Sequence, residues 1–331
     1  MGAELLVPLV AIVGPTGTGK TALAIALAER LDGEIINADS RQVYRGMDIG
    51  TAKPTAEQRA RVPHHLFDLV EPNEPFTLSD YLTLVRQEIP AIAARGRLPF
   101  LVGGSGLYVR AVLEGLRPPP VPPDPQLRQQ LSQRAEREGT AALVAELTAR
   151  DPVGAARIDP RNIRRLVRAL EVVLTTGQPF SALGQRCPPP YRTLRIGLTL
   201  ERAALYRRLD ARTEAMLAAG WVEEVRRLRE RGFGPELPAL SGHGYRELLA
   251  YLDGQLSLEA ARQRIAQLTH RYVRQQYTWF RLDDPGIVWF DASRADLVEA
   301  VADRIVRWRR ACTSPRCTEP ETTSSWSTPP L

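Results

Sequence analysis

The run Gly14-Pro15-Thr16-Gly17-Thr18-Gly19-Lys20-Thr21 constrains this chain more than any other feature. It satisfies G-x-x-x-x-G-K-[ST] in full. The apolar stretch 5–13 before it predicts a short strand, and residues 22–31 after it are rich in helix formers. Strand, glycine-rich loop and helix in that order make a phosphate cradle, because loop amides and a helix N-terminus point at an anion. Lys20 adds a mobile charge, and the Thr21 hydroxyl can enter a Mg²⁺ shell. A lysine opening a helix opposes the helix dipole unless an anion offsets it. That weighs against a mere βα turn. All eight residues are therefore candidate phosphate ligands, with Thr21 the candidate metal ligand. The loop leaves open which phosphates it holds and what is done to them.

At 331 residues the chain has room for one large α/β core and a further module. Nothing approaches the ~18 consecutive apolar residues of a membrane span. The opening apolar stretch lacks a basic leader and runs into the phosphate loop, so it reads as a strand and not a signal peptide. A cytoplasmic protein acting as a monomer without membrane attachment is expected. Cys187, Cys312 and Cys317 make neither a disulfide framework nor a zinc spacing. Charge is unevenly placed: residues 1–116 carry a net −2, residues 117–195 a net +6, and residues 202–281 a net +5. A mildly acidic nucleotide-type core followed by two basic segments suggests a polyanion larger than a mononucleotide.

Residues 34–38 read as a second strand that delivers Asp39 and Ser40 to its carboxyl end, where open α/β sheets keep their chemistry. Residues 63–70 predict a third strand, 77–94 a helix, and 98–102 a buried strand ending in Gly103-Gly104-Ser105-Gly106. Such βα alternation predicts a mostly parallel sheet. It breaks at Pro118-Pro119-Pro120-Val121-Pro122-Pro123, after which the chain is helical in character to about residue 176. Asp151-Pro152 predicts a helix start. Strand character returns at 195–200, long helices are expected over 202–231 and 257–281, and a last strand and helix close the fold. The expected organisation is a P-loop NTPase-like α/β core over 1–116 and 196–310, a basic all-helical insertion over 117–195, and a disordered tail over 311–331.

Phosphoryl-transfer enzymes of this class want an acidic Mg²⁺ ligand at the end of a second apolar strand. Strand 98–102 ends without one. Asp39 is the acidic residue at a strand end, and a carboxylate there can act on an acceptor as base or hydrogen-bond acceptor. Motor and GTPase readings are weakened, and a small-molecule kinase survives.

The block Asp39-Ser40-Arg41-Gln42-Val43-Tyr44-Arg45-Gly46-Met47-Asp48-Ile49-Gly50-Thr51-Ala52-Lys53-Pro54 resembles the corresponding segment of the tRNA dimethylallyltransferases. So do the phosphate loop, Pro63-His64-His65, Gly103-Gly104-Ser105-Gly106-Leu107-Tyr108, Arg165-Leu166-Val167-Arg168-Ala169-Leu170-Glu171-Val172, Gly244-Tyr245-Arg246-Glu247 and Thr278-Trp279-Phe280-Arg281. The blocks keep the family's order over about residues 9–285. The resemblance implies transfer of a dimethylallyl group from dimethylallyl diphosphate to the exocyclic amine of the adenosine 3′ of the anticodon, in tRNAs reading codons that begin with U. It makes the phosphate loop, with Mg²⁺, the diphosphate site. Asp39 and Ser105 become the catalytic candidates, Ser105 standing where the family usually has Thr. Asp39, Ser40, Arg41 and Gln42 would touch the extracted base and its neighbours. The run Arg164, Arg165, Leu166, Val167 and Arg168, and the run His243, Gly244, Tyr245 and Arg246, would meet the rest of the tRNA anticodon stem–loop. The spacing of Arg161, Arg164, Arg165 and Arg168 predicts a phosphate-contacting stripe on one helix face.

Two departures bear on this. Gln275 stands where relatives commonly have a basic residue, and the tail carries no Cys₂His₂ finger of the kind eukaryotic relatives have, which points to a bacterial-type protein. The rival readings are an adenylate isopentenyltransferase, against which the basic insertion speaks, a P-loop small-molecule kinase, and an NTP-gated RNA-binding module.

Overall fold

The computed structural model describes residues 6–311. Of the tail expected over 311–331, residues 312–331 lie outside the described residues. The chain forms two compact units, one of residues up to Leu113 with those from Pro190 onward, the other Glu114–Pro189.

The first unit is built on six strands: β1 (Val7–Val13), β2 (Gly33–Asn37), β3 (His64–His65), β4 (Leu98–Val102), β7 (Tyr191–Thr199) and β8 (Val288–Asp291). The two-residue strands β5 (Leu116–Arg117) and β6 (Gln185–Arg186) pair antiparallel in the second unit. Strand order in the large sheet is β3-β2-β4-β1-β7-β8, and every pairing is parallel. Leu9–Val13 and all of β2 and β4 are buried. Covered parallel strands read as apolar runs for this reason, as Leu9–Val13 and β4 do, whereas β2 also buries Glu34, which is paired with Arg95 and Arg97. The helices of this unit are α1 (Lys20–Leu31), α2 (Ala56–Arg61), α3 (Leu78–Ala94) and α4 (Gly106–Leu113) before the second unit. That unit carries α5 (Pro125–Glu138), α6 (Thr140–Arg150), α7 (Pro152–Ala156), α8 (Ile163–Thr176) and α9 (Phe180–Leu183). The first unit resumes with α10 (Arg202–Ala218), α11 (Trp221–Glu230), α12 (Tyr245–Leu252), α13 (Leu258–Trp279) and α14 (Leu297–Arg310).

One apolar core joins α1 and α14 to the sheet through Leu23, Ile25, Leu27, Phe100, Ile196, Val301 and Ile305. A second gathers Val43, Met47, Trp221, Val225, Tyr245, Leu248 and Ile265, so that α11–α13 pack on the segment after β2. The second unit has its own core from α5, α6 and α8.

Several expectations are corrected. The strand expected over 63–70 is only His64–His65, because Leu66 (φ 64°) and Asp68 (φ 54°) turn the chain into the left-handed region. The sheet resumes at Tyr191, so residues 191–195, assigned to the insertion, belong to β7. The helix expected over 202–231 is two, broken at Gly220 with φ 96°. Asp151 and Pro152 do open a helix, the carboxylate accepting from the Gly154 amide at 2.8 Å.

Candidate active site

β1, β2 and β4 end at one edge of the sheet, and the loops that follow them build the site. Gly14 has φ 127°, and a Cβ there would lie 2.4 Å from the Leu198 carbonyl oxygen, so the turn out of β1 requires glycine. The Pro15 carbonyl accepts from Thr18 Oγ1 (2.9 Å) and Lys20 Nζ (2.8 Å). Gln276 on α13 bridges two loops: its Oε1 accepts from the Thr16 amide at 2.8 Å, and its Nε2 donates to the Gly104 carbonyl at 3.0 Å. Arg212 on α10 donates to Thr16 Oγ1 at 3.3 Å. An Arg208 Nη2 stands 3.6 Å from where a Cβ on Gly19 would lie. Lys20, Arg208 and Arg212 thus converge on the loop. Burial lowers the Lys20 ammonium to about 7, with Asp39 opposing the shift and Arg212 adding to it. Burial also lowers Arg212, against the attraction of Asp39. Two desolvated cations, Lys20 and Arg212, with exposed Arg208 beside them, suit a multiply charged anion. Thr21 lies in the first turn of α1 and is partly buried.

Asp39 follows β2 in an Asx-type turn. Its amide donates to Asn37 Oδ1 (2.8 Å), and its Oδ1 accepts from the Arg41 amide (2.9 Å). Ser105 Oγ accepts from the Ser40 amide at 2.9 Å and lies 3.2 Å from Ser40 Oγ. Its hydroxyl therefore ties the loop after β4 to the loop after β2. A side chain on Gly103 would start 2.1 Å from the Ala38 carbonyl oxygen, and one on Gly106 would start 2.2 Å from Trp279 Cγ. The small residues of this loop are required by protein packing.

Asp39, Thr16 and Arg212 line a cavity of about 220 Å³. One wall is polar, from residues 39–41 and 241–243. The other is largely apolar, with Leu209, Met216, Trp221 and Ile265 from α10, α11 and α13. Tyr272 also lines it, and burial, then the Asp39 charge, raises its phenol well above the usual range, keeping a hydroxyl donor there. His243 sits 5.0 Å from the Tyr272 ring, its imidazole lowered by burial with Arg41 and Arg271 adding to the effect, against Glu247.

The other expected site residues fall into distinct places. Arg41 donates to the carbonyls of Pro238 and Ala239 and to Ser241 Oγ, and Gln42 to the Thr51 carbonyl, so both brace the site's own loops. Tyr245 is buried and donates to Glu224 at 2.7 Å, Gly244 has φ 99°, and Arg246 is exposed. In the second unit, Leu166 and Val167 are 1% and 5% exposed in its core, so neither side chain offers a contact surface. Arg161 lies before α8 and pairs with Asp159, and Arg168 pairs with buried Glu171 at 2.6 Å. The expected four-arginine stripe is thus not one face of a helix. Arg164 remains exposed on α8, and Arg165 is partly buried.

Sequence reasoning missed Arg208, Arg212, Tyr272 and Gln276. Leu205, Leu209 and Thr213 mark a buried stripe on α10 with the arginines beside it, but nothing local says that this flank meets the phosphate loop. Gln276, 2% exposed, has no sequence signal; its exposed neighbour Gln275 drew attention instead.

Loop 48–51, part of the cavity rim, is held by Glu224, which is 3% exposed. Its Oε2 accepts from the amides of Asp48 (2.8 Å) and Ile49 (2.7 Å), its Oε1 from Gly50 (3.2 Å).

Residues 42–283 match the family described as IPP transferase, and residues 7–63 match the one described as isopentenyl transferase. A protein of Roseiflexus sp. (strain RS-1) named tRNA dimethylallyltransferase is 52% identical over 303 residues, 92% of this chain and 99% of its own. One of the same name from Thermomicrobium roseum is 52% identical over 300 residues, 91% of each. The crystal structure of the full-length tRNA isopentenylpyrophosphate transferase from Bacillus halodurans superposes with a TM-score of 0.70 at 41% identity, covering 93% of this chain and 98% of the other. A eukaryotic dimethylallyltransferase acting on tRNA superposes with a TM-score of 0.76 at 26% identity, covering 93% of this chain and 80% of its own.

Proposed function

This chain belongs to the IPP transferase family, and we infer that it is a tRNA dimethylallyltransferase. It moves a dimethylallyl group from dimethylallyl diphosphate to the exocyclic amine of an adenosine in tRNA. The finer assignment, to the adenosine 3′ of the anticodon in tRNAs reading codons that begin with U, is carried over from the family resemblance. The observation that supports the reading best is the single carboxylate, Asp39, on a cavity whose phosphate-loop end gathers Lys20, Arg208 and Arg212.

In this reading the loop amides of residues 17–21 and the three cations hold the diphosphate. As the C1–O bond breaks, its electron pair leaves on the diphosphate, and the same charges stabilise it while positive character grows on the allylic carbon. The adenine amine is a weak nucleophile because its lone pair is delocalised into the ring. Asp39 accepts one of its hydrogens, the N–C1 bond forms, and the proton passes to Asp39 and on to solvent, a contribution of ~10²–10⁴-fold. Ser105, bonded to Ser40, acts by fixing the Asp39 loop. The adenosine must leave its stack to reach the cavity, and Tyr272 and His243 offer ring surfaces there.

The donor set also fits Mg²⁺. No group of three His, Cys, Asp or Glu able to cage a metal occurs among the described residues, and Mg²⁺ typically keeps waters and substrate phosphates with one or two protein oxygens. Thr21 would supply such an oxygen, and the ion would neutralise charge on the leaving diphosphate. Exposed Arg164 and Arg246 are the proposed RNA phosphate contacts.

Incubating the protein with labelled dimethylallyl diphosphate, Mg²⁺ and total tRNA, then digesting the RNA, should put label on adenosine. Label on free adenylate instead would favour the nucleotide-prenylating relative, and label on neither would sink the assignment.

A further inference from the structure

α10 and α13 run antiparallel, as three cross-helix pairs show: Tyr206 with Arg274 (3.4 Å), Asp210 with His270 (2.9 Å), and Glu214 with Arg262 (2.7 Å). Near the phosphate loop their shared layer is Leu209 with Val273, and Leu209 Cδ2 lies 2.7 Å from where a Cβ on Gly17 would be. Away from the loop, along the apolar wall of the cavity, the next layers are Thr213 with Thr269 and then Met216 with Ile265. The Thr213 hydroxyl is spent on the Leu209 carbonyl at 3.1 Å.

We propose that the Met216–Ile265 layer gauges the donor's hydrocarbon chain, admitting a five-carbon allyl group and rejecting a ten-carbon one. The proposal rests on the prenyl-transfer reading of the site. Met216 is two helical turns beyond Leu209, and Ile265 slightly more than two turns from Val273, about 10–12 Å at 1.5 Å per residue. At ordinary bond lengths a P–O–P–O–C run from the loop takes up about half of that, and a five-carbon allyl group spans about 4 Å more. A second isoprene unit of similar length would run into Met216 and Ile265. That floor is backed: Ile265 is 1% exposed and packs in one cluster with Trp221, Tyr245 and Leu249, with Met216 against it. Tyr245 is pinned to Glu224, which also holds loop 48–50. A cramped, braced layer cannot retreat as a loose one can. The bonds made and broken are the same for either donor: N–C1 forms, C1–O breaks, the diphosphate leaves with the pair, and the amine proton goes to Asp39.

The test compares dimethylallyl and geranyl diphosphates as donors to tRNA, for the unaltered protein and for Met216→Ala. The unaltered protein should use the first and not the second. Met216→Ala should raise the geranyl-to-dimethylallyl ratio of kcat/KM by at least ~10-fold, the scale that a methylene-sized change in an apolar pocket commands. Met216→Phe should raise the KM for dimethylallyl diphosphate. An unmoved ratio in Met216→Ala overturns the gauge while leaving the activity standing, whereas no transfer by the unaltered protein from either donor sinks the functional reading itself. If Met216→Ala fails to fold, Ile265→Ala removes three carbons from the same layer, and an unmoved ratio there overturns the gauge equally.

Discussion

Lys20 is the sharpest place to test the electrostatics of the phosphate loop. Burial takes its ammonium from an ordinary 10.5 down to about 7, with Asp39 returning part of the loss and Arg212 deepening it. At about 1.4 kcal/mol per pKa unit, that displacement costs the charged form about 5 kcal/mol. A diphosphate bound beside Nζ restores the charge, so binding takes up a proton between pH 7 and the raised value of the bound state. The affinity contributed by this group is full below pH 7 and falls by up to ~10-fold per unit as pH rises above it. Stability moves oppositely: between pH 7 and 10.5 the unfolded chain binds the proton that the folded one has lost, so stability rises with pH across that window. The chain has two lysines, Lys20 and Lys53, so protein labelled with [ε-¹³C]lysine gives two resonances, and Lys20→Arg identifies one by its loss. The Lys20 resonance should titrate near pH 7 in the free protein and move above pH 9 with Mg²⁺-diphosphate. A midpoint near 10 without ligand would refute the picture of a desolvated cation waiting for an anion.

Asp39→Asn keeps the acceptor for the Arg41 amide, so the turn should survive; turnover should drop at least ~10²-fold with tRNA affinity within several-fold, as single-turnover rates and filter binding would report. Glu224→Ala leaves three backbone amides and the Tyr245 hydroxyl without their acceptor. It should cost about 4 kcal/mol and lower the Tm by ~10 °C in calorimetry. Arg164→Gln should reduce the slope of log affinity for an anticodon stem–loop against log salt by about 1. Arg168→Gln should mainly destabilise, since its guanidinium holds Glu171 and the Val121 carbonyl; a larger salt effect from Arg168 than from Arg164 would reverse that division.

The α/β architecture was legible because β1 and β4 are continuous apolar runs, each followed by a loop and a helix. The places of the loop at 14–21 and of Asp39 were legible because both lie on short contiguous segments at strand ends. What local pattern could not supply was which helix faces come home to that loop. Gln276 lies 260 residues from the Thr16 amide it binds, and Arg212 lies 196 residues from the Thr16 hydroxyl. Helical spacing also misled: it grouped four arginines, one of which precedes the helix while another is consumed by buried Glu171. Exposure and partners decide whether an arginine can meet RNA, and neither is written in the spacing.

The loop after β4 carries the argument from phosphate binding to carbon chemistry. In phosphoryl-transfer enzymes of this architecture a carboxylate at such a strand end holds Mg²⁺. Here the position is Gly103, and any side chain would begin 2.1 Å from the Ala38 carbonyl oxygen. That contact exists because the loop after β2 is drawn against the loop after β4, the Ser105 amide donating to the same carbonyl (3.2 Å) and its hydroxyl receiving the Ser40 amide. The packing that forbids a carboxylate at 103 is therefore the packing that sets the one at 39, on the wall of the cavity. A site built so is ill suited to activating a γ-phosphate. It suits holding a diphosphate as a leaving group while a separate base attends the acceptor, and Gly103→Asp should abolish transfer by displacing Asp39 without creating ATP hydrolysis. Appearance of ATPase activity in that variant would show that the strand end, and not the Asp39 loop, decides the chemistry.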